Sequence, residues 1–210
     1  MRQKITVSLF SLAIICLLLV IVYHFQNPRL IEKFSVHPLK WNQFHTAFTG
    51  VWMHADINHL FGNLVAFISL SVIFLLLFPS NWLHFFFTQY LVSSMLFFLI
   101  AKENTQHIGA SVWVYAFVSF ILTIVLLQPN RKLWGIFLVT ILFYGSTWWG
   151  LLPIMPQISH EGHLSGFLAG IFIAFLFRNK YLKLLPQKKL PNWYHEESKD
   201  HNPYDSIRID

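Results

Sequence analysis

Six times along this sequence an apolar run appears that is about as long as a bilayer is thick. The runs cover residues 5–25, 57–78, 82–101, 111–127, 133–152 and 160–177. At about 1.5 Å per residue, roughly 20 helical residues cross the ~30 Å of hydrocarbon. Inside that layer, helices satisfy their own backbone groups. Only 11% of the residues are charged and 55% are hydrophobic, against about 25% charged in soluble domains. Such a chain cannot cover its surface with polar groups, so its solvent is the lipid bilayer. The expected fold is an all-α membrane protein, a bundle of six transmembrane helices.

The runs are separated by breakers: "FPSN" at 78–81, "QPNRK" at 128–132 and "LLPIMPQ" at 151–157. The first run follows "MRQK" and resembles a signal peptide. It is long and no small-x-small cleavage site follows it, so it is read as a retained anchor. The connection 26–56 carries Phe34, Trp41, Phe44, Phe48 and Trp52 among its polar residues. A stretch of that length has structure or function of its own, and it is expected to fold against the membrane surface. Residues 1–178 are read as the membrane domain and 179–210 as a charged, proline-broken, flexible cytoplasmic tail. The lone Cys16 lies inside an apolar run and reads as a small core residue.

The net charge of +6 bears on orientation. No basic residues are interleaved with exposed aromatics on a polar face, so no nucleic-acid partner is expected. With both termini cytoplasmic, the inner side collects Arg2, Lys4, Arg131, Lys132, Arg178, Lys180, Lys183, Lys188 and Lys189. The short outer loops keep only Lys102. The positive-inside rule then gives N-in, C-in. Arg29, Lys33 and Lys40 are the exception, in a long first loop on which the rule acts less strictly.

In that arrangement the second, fourth and sixth runs start at the outer face. The second opens with His54, His59 and Asn63, the fourth with Ser111, and the sixth with His163. Polar side chains in lipid are costly and turn toward a partner or a cavity. One such histidine is most often an interhelical hydrogen bond; several at a common depth on three helices point to a site. His59 and Asn63 share a helix face at i, i+4, as do Ser111 and Tyr115. Gly162, Gly166, Gly170 and Ala174 form a small-residue stripe that admits another helix closely, with His163 beside it. A serine becomes nucleophilic when a neutral histidine takes its proton, and Asn or His side chains stabilise the oxyanion of acyl transfer. No carboxylate is placed to orient the base, so the expected site is a Ser–His dyad.

The pattern His54-x4-His59-x3-Asn63, Gly109-Ala110-Ser111 with Tyr115, and Gly162-His163-x2-Gly166-x3-Gly170 resembles the rhomboid intramembrane serine proteases over about residues 1–178. The resemblance implies a rhomboid-like bundle that cleaves transmembrane segments near the outer face. Ser111 would be the nucleophile and His163 the general base. His59, Asn63 and the Ser111 N–H would form the oxyanion hole, Tyr115 would pack on the catalytic imidazole, and His54 would support the site. The fifth run and the loop near 151–159 would be side gate and cap. No cofactor or metal is implied; the partners are transmembrane substrates and lipid, and the location is a bacterial inner (cell) membrane. Oligomeric state is not readable. The family usually has glycine after the serine; here Val112 follows it, and its branched side chain is expected to crowd the oxyanion pocket. The Trp-Arg pair common in the family's first loop is not in register here.

Two other readings compete. One is an inactive rhomboid-like protein that binds membrane clients; Val112 favours it, while Ser111 and His163 together oppose it. The other is a haem or metal protein, given 11 histidines. "HEGH" lacks the H-E-x-x-H spacing of zinc proteases, and no cysteine supports a structural metal.

Overall fold

A computed structural model describes residues 2–128, 131–154 and 158–185. The described chain is helical apart from a single antiparallel bridge between Val36 and His107. The long helices are α1 (Arg2–Phe25), α4 (Ile57–Leu77), α5 (Trp82–Ile100), α6 (Ser111–Leu127), α7 (Arg131–Tyr144, extended by a tighter turn Gly145–Leu151) and α8 (His160–Leu176). Short helices α2 (Pro28–Phe34) and α3 (Thr46–Thr49) lie in the first connection, and α9 (Arg178–Leu182) follows α8. Each apolar run of the sequence thus falls on a helix. Among the described residues, four segments are long and apolar enough to cross a membrane: Gln3–Phe25, Ile57–Leu77, Trp82–Ile100 and Leu133–Leu151. The two others, Ser111–Leu127 and His160–Leu176, are apolar but shorter.

The two shorter apolar helices, α6 and α8, pack against each other. From Val112 to Val125, nearly every side chain of α6 is buried. Helix α8 lies along it because its glycines remove the side chains that would hold it off. A Cβ on Gly166 would run into the Val112 carbonyl, and one on Gly170 into the Ala116 carbonyl. Helices α1 and α7 are peripheral and present large apolar side chains outward, including Phe10, Leu138, Leu142 and Phe143.

Helices α4, α6 and α8 start at the same end of the bundle. Their far ends converge on an aromatic block in which Phe74, Phe85 and Phe120 pack with ring centroids 4.4–5.6 Å apart. Tyr181 closes the block against Phe78 and Phe120, both at 4.9 Å. Packing therefore runs past residue 178, where the sequence reading ends the membrane domain: Tyr181 and Leu185 are buried. Tyr181 lies on α9 and Leu185 in the turn that follows it, and both bring apolar side chains back to the bundle. Residues 186–210 of the expected tail lie outside the described residues.

The first connection is ordered by its own chemistry. Asn27 caps α2 by accepting from Leu30 N–H at 3.1 Å, with Pro28 at the first helical position. Its aromatics pack onto α5: Trp41 and Phe44 on Phe98, and Phe48 and Trp52 on Tyr90. The Val36–His107 bridge ties it to the loop leading into α6.

Candidate active site

Gly109 stands at φ +116°, a left-handed conformation that favours glycine. A Cβ there would lie 2.7 Å from the His59 ring, so the residue is small for two independent reasons. The chain turns at Gly109 and Ala110 and enters α6 at Ser111. The Ser111 hydroxyl is not spent on capping; it lies 2.9 Å from His163 Nε2.

The other imidazole nitrogen fixes the proton positions. His163 Nδ1 is 2.9 Å from the Gly150 carbonyl, which only accepts, so Nδ1 carries the hydrogen. Nε2 is then a lone pair facing the serine O–H. A backbone carbonyl thereby does the orienting that a carboxylate does in a triad. Tyr115 stacks on the His163 ring at 4.1 Å and 13°, and its hydroxyl donates to the Thr147 carbonyl at 2.7 Å. The turn Gly145–Leu151 thus holds both rings from above. A Cβ on Gly150 would strike the Tyr115 hydroxyl and His163 Nδ1.

Helix α4 brings its face to the same place. Asp56 caps it, accepting from the N–H groups of Asn58 and His59 at 2.8 and 2.9 Å. Asn63 is buried and its amide nitrogen has no hydrogen-bond partner, a free donor of the kind that a developing oxyanion takes up. His54 stands just behind. It donates from Nδ1 to the Trp52 carbonyl at 3.2 Å and accepts the Ala110 N–H on Nε2 at 3.4 Å. Its ring meets His59 edge-on at 5.1 Å. Burial, and next the neighbouring His59, hold its pKa down at about 4.

A cavity of about 1010 Å³ opens over these groups, lined by His59, Asn63, Ser111, Tyr115, His163 and, toward its rim, Asp56, His107 and Glu161. Gly166 and Gly170 do not line it; they act at a distance by letting α8 reach α6. Val112, expected to crowd the oxyanion pocket, is buried in the hydrophobic core and is absent from the cavity lining. One residue beyond Ser111 on a helix, its side chain is turned about 100° away. Of the cap loop, residues 155–157 lie outside the described residues. Among the described residues, no group of three or more His, Cys, Asp or Glu side chains converges as metal ligands would.

Sequence reasoning missed Gly150 and Thr147. Both act through backbone carbonyls, which no residue spacing marks. Tyr144, scattered in the sequence, hydrogen-bonds Ser69 and so ties α7 to α4.

Fold and site together define an all-helical integral membrane protein with a serine and a histidine joined between two of its central helices. The chain belongs to the rhomboid family: the Rhomboid domain matches residues 41–180. Among curated proteins it is similar to uncharacterized proteins of Mycobacterium tuberculosis and Mycobacterium bovis, each 28% identical over 152 residues, covering 68% of this chain and 62% of theirs. An uncharacterized protein of Mycobacterium leprae is 26% identical over 164 residues, 70% of this chain and 64% of that one. The chain thus spans under two thirds of the length of these relatives.

Proposed function

We propose that this protein is an intramembrane serine endopeptidase that cuts transmembrane segments near the outer face of a bacterial cell membrane. Its six apolar helices all cross, with both termini inside. Ser111 is the nucleophile and His163 the general base. In acylation the Ser111 oxygen bonds to the substrate carbonyl carbon while its proton moves to His163 Nε2. The C–N bond then breaks and that proton leaves with the amine. Water, deprotonated by the same nitrogen, attacks the acyl-enzyme; the peptide acid departs and Ser111 regains its proton. His59, Asn63 and the Ser111 N–H carry the charge on the oxyanion in both halves. Tyr115 and the Gly150 carbonyl keep the imidazole in the tautomer that accepts.

The observation that carries this reading is the 2.9 Å contact of Ser111 Oγ with an imidazole nitrogen left unprotonated by the Gly150 bond on the other side. The inactive-binder reading loses its support, because Val112 is turned into the core. Labelling with a fluorophosphonate probe and cleavage of a model transmembrane substrate test the proposal. Wild type labels and cleaves; Ser111→Ala and His163→Ala do neither while staying folded. Equal behaviour of wild type and Ser111→Ala overturns it.

A further inference from the structure

We infer that Gln26, at the end of α1, is a positioning residue for the Ser111–His163 pair, acting through His54; this rests on the protease reading above. Gln26 remains anchored to α1, its N–H donating to the Val22 carbonyl at 2.9 Å. Its side chain reaches across to a backbone 28 residues away, with both ends of the amide engaged. Nε2 donates to the His54 carbonyl at 2.5 Å, and Oε1 accepts the His54 N–H at 3.1 Å. The pairing copies one rung of a β-ladder, and its two bonds fix the amide orientation.

His54 is wholly buried, so its backbone groups need partners as strictly as any in a protein interior. With the backbone clamped by Gln26, the imidazole is aimed from a fixed point. One nitrogen donates to Trp52 and the other receives the Ala110 N–H. Ala110 is the residue before Ser111, and Gly109 before it sits under the His59 ring. Gln26 therefore acts on the nucleophile through the turn that delivers it, and on the proposed oxyanion donor through the edge contact of His54 with His59. Gln26 itself does not line the cavity. It also lies outside residues 41–180 that match the Rhomboid domain, so the clamp joins α1 to a site built by the rest of the chain.

Two variants and two measurements test this. Gln26→Leu removes both bonds. Gln26→Glu keeps the shape but, while ionised, sets a carboxylate oxygen against the His54 carbonyl; protonated, it again has one donor and one acceptor. Turnover is followed with pH, each variant against wild type at the same pH. Hydrogen exchange is followed over 108–112. In Gln26→Leu, kcat falls about tenfold or more, as misplacement of a reacting group does. KM hardly moves and 108–112 exchange faster. In Gln26→Glu, both defects shrink toward wild type as the pH is lowered through the titration of the new carboxyl. Unchanged exchange in Gln26→Leu overturns the inference, and so does faster exchange with unchanged kcat. Loss in Gln26→Glu that acid does not relieve overturns it as well. A wild type that shows no Ser111-dependent turnover sinks the protease reading instead, and the positioning role with it, whereas exchange over 108–112 still reports the clamp itself.

Discussion

Gly109 and His54 show how single residues hold the proposed nucleophile. Gly109→Ala meets two penalties, a left-handed backbone that a side chain resists and a Cβ 2.7 Å from the His59 ring. Relief requires the turn or His59 to shift, and a shift near 1 Å at a reacting group costs about 10²-fold in rate. Gly109→Ala is expected to lower turnover by that order with the helical content unchanged by circular dichroism. His54 supplies a pH dependence whose sign follows from its burial. Burial, and next the neighbouring His59, disfavour the charged ring and lower its pKa from 6.5 to about 4. The unfolded chain then takes up the proton first. This contribution is complete above about 6.5 and is lost as the pH falls from 6.5 toward 4. Unfolding midpoints in mixed micelles should drop across that window in wild type and drop less in His54→Asn. Equal slopes would remove His54 as the origin.

At the scale of elements, the decisive contact is α8 on α6. Gly166→Ala places a methyl against the Val112 carbonyl, a backbone atom that cannot swing aside as a side-chain tip can. Overpacking of this kind costs about 1–3 kcal/mol, and it also prises His163 away from Ser111. Both unfolding midpoint and activity should fall in Gly166→Ala, whereas Gly62→Ala, with open space at its Cβ, should change neither. Helix α7 is the opposite case. Its Leu142 and Phe143 are 79% and 70% exposed, and the Tyr144–Ser69 hydrogen bond reaches across to α4. Such bonds within membranes average about 0.6 kcal/mol, so Tyr144→Phe should barely alter stability. If substrate enters between α4 and α7, turnover of a transmembrane substrate should rise in this variant. An unchanged rate would place entry elsewhere. The contrast also explains what the sequence could show. The glycine stripe and the i, i+4 pairs lie on regular helices, where spacing translates into facing. The Gly150 and Thr147 carbonyls and the Gln26 clamp come from a tight turn and a helix end. There, which atoms meet depends on tertiary placement rather than on period.

For the whole molecule, the cavity and the aromatic block lie at opposite ends of one bundle, so the side on which the proposed protease would cut depends on which end faces out. The structure supplies the two ends; the distribution of Lys and Arg supplies the direction. Lys102 lies in the short loop at the cavity end, with Arg29, Lys33 and Lys40 in the long first connection on which the rule acts less strictly, whereas Arg178, Lys180 and Lys183 follow α8 beside the aromatic block. Positive charge is retained on the cytoplasmic side, so the proposed topology has the cavity facing out. Asp56 and Glu161 at the cavity rim do not oppose this, since acidic residues weigh little in the rule. Because Cys16 is the sole cysteine, a Cys16→Ala background permits a direct check with single cysteines at two exposed positions. In intact cells, a membrane-impermeant maleimide should label Glu103→Cys at the cavity end and leave Lys180→Cys unlabelled until the membrane is opened. The reverse pattern would turn the bundle over and put the Ser111–His163 pair at the cytoplasmic face. Labelling of both positions in intact cells would mean that α1 and its neighbours do not hold the chain in a single orientation.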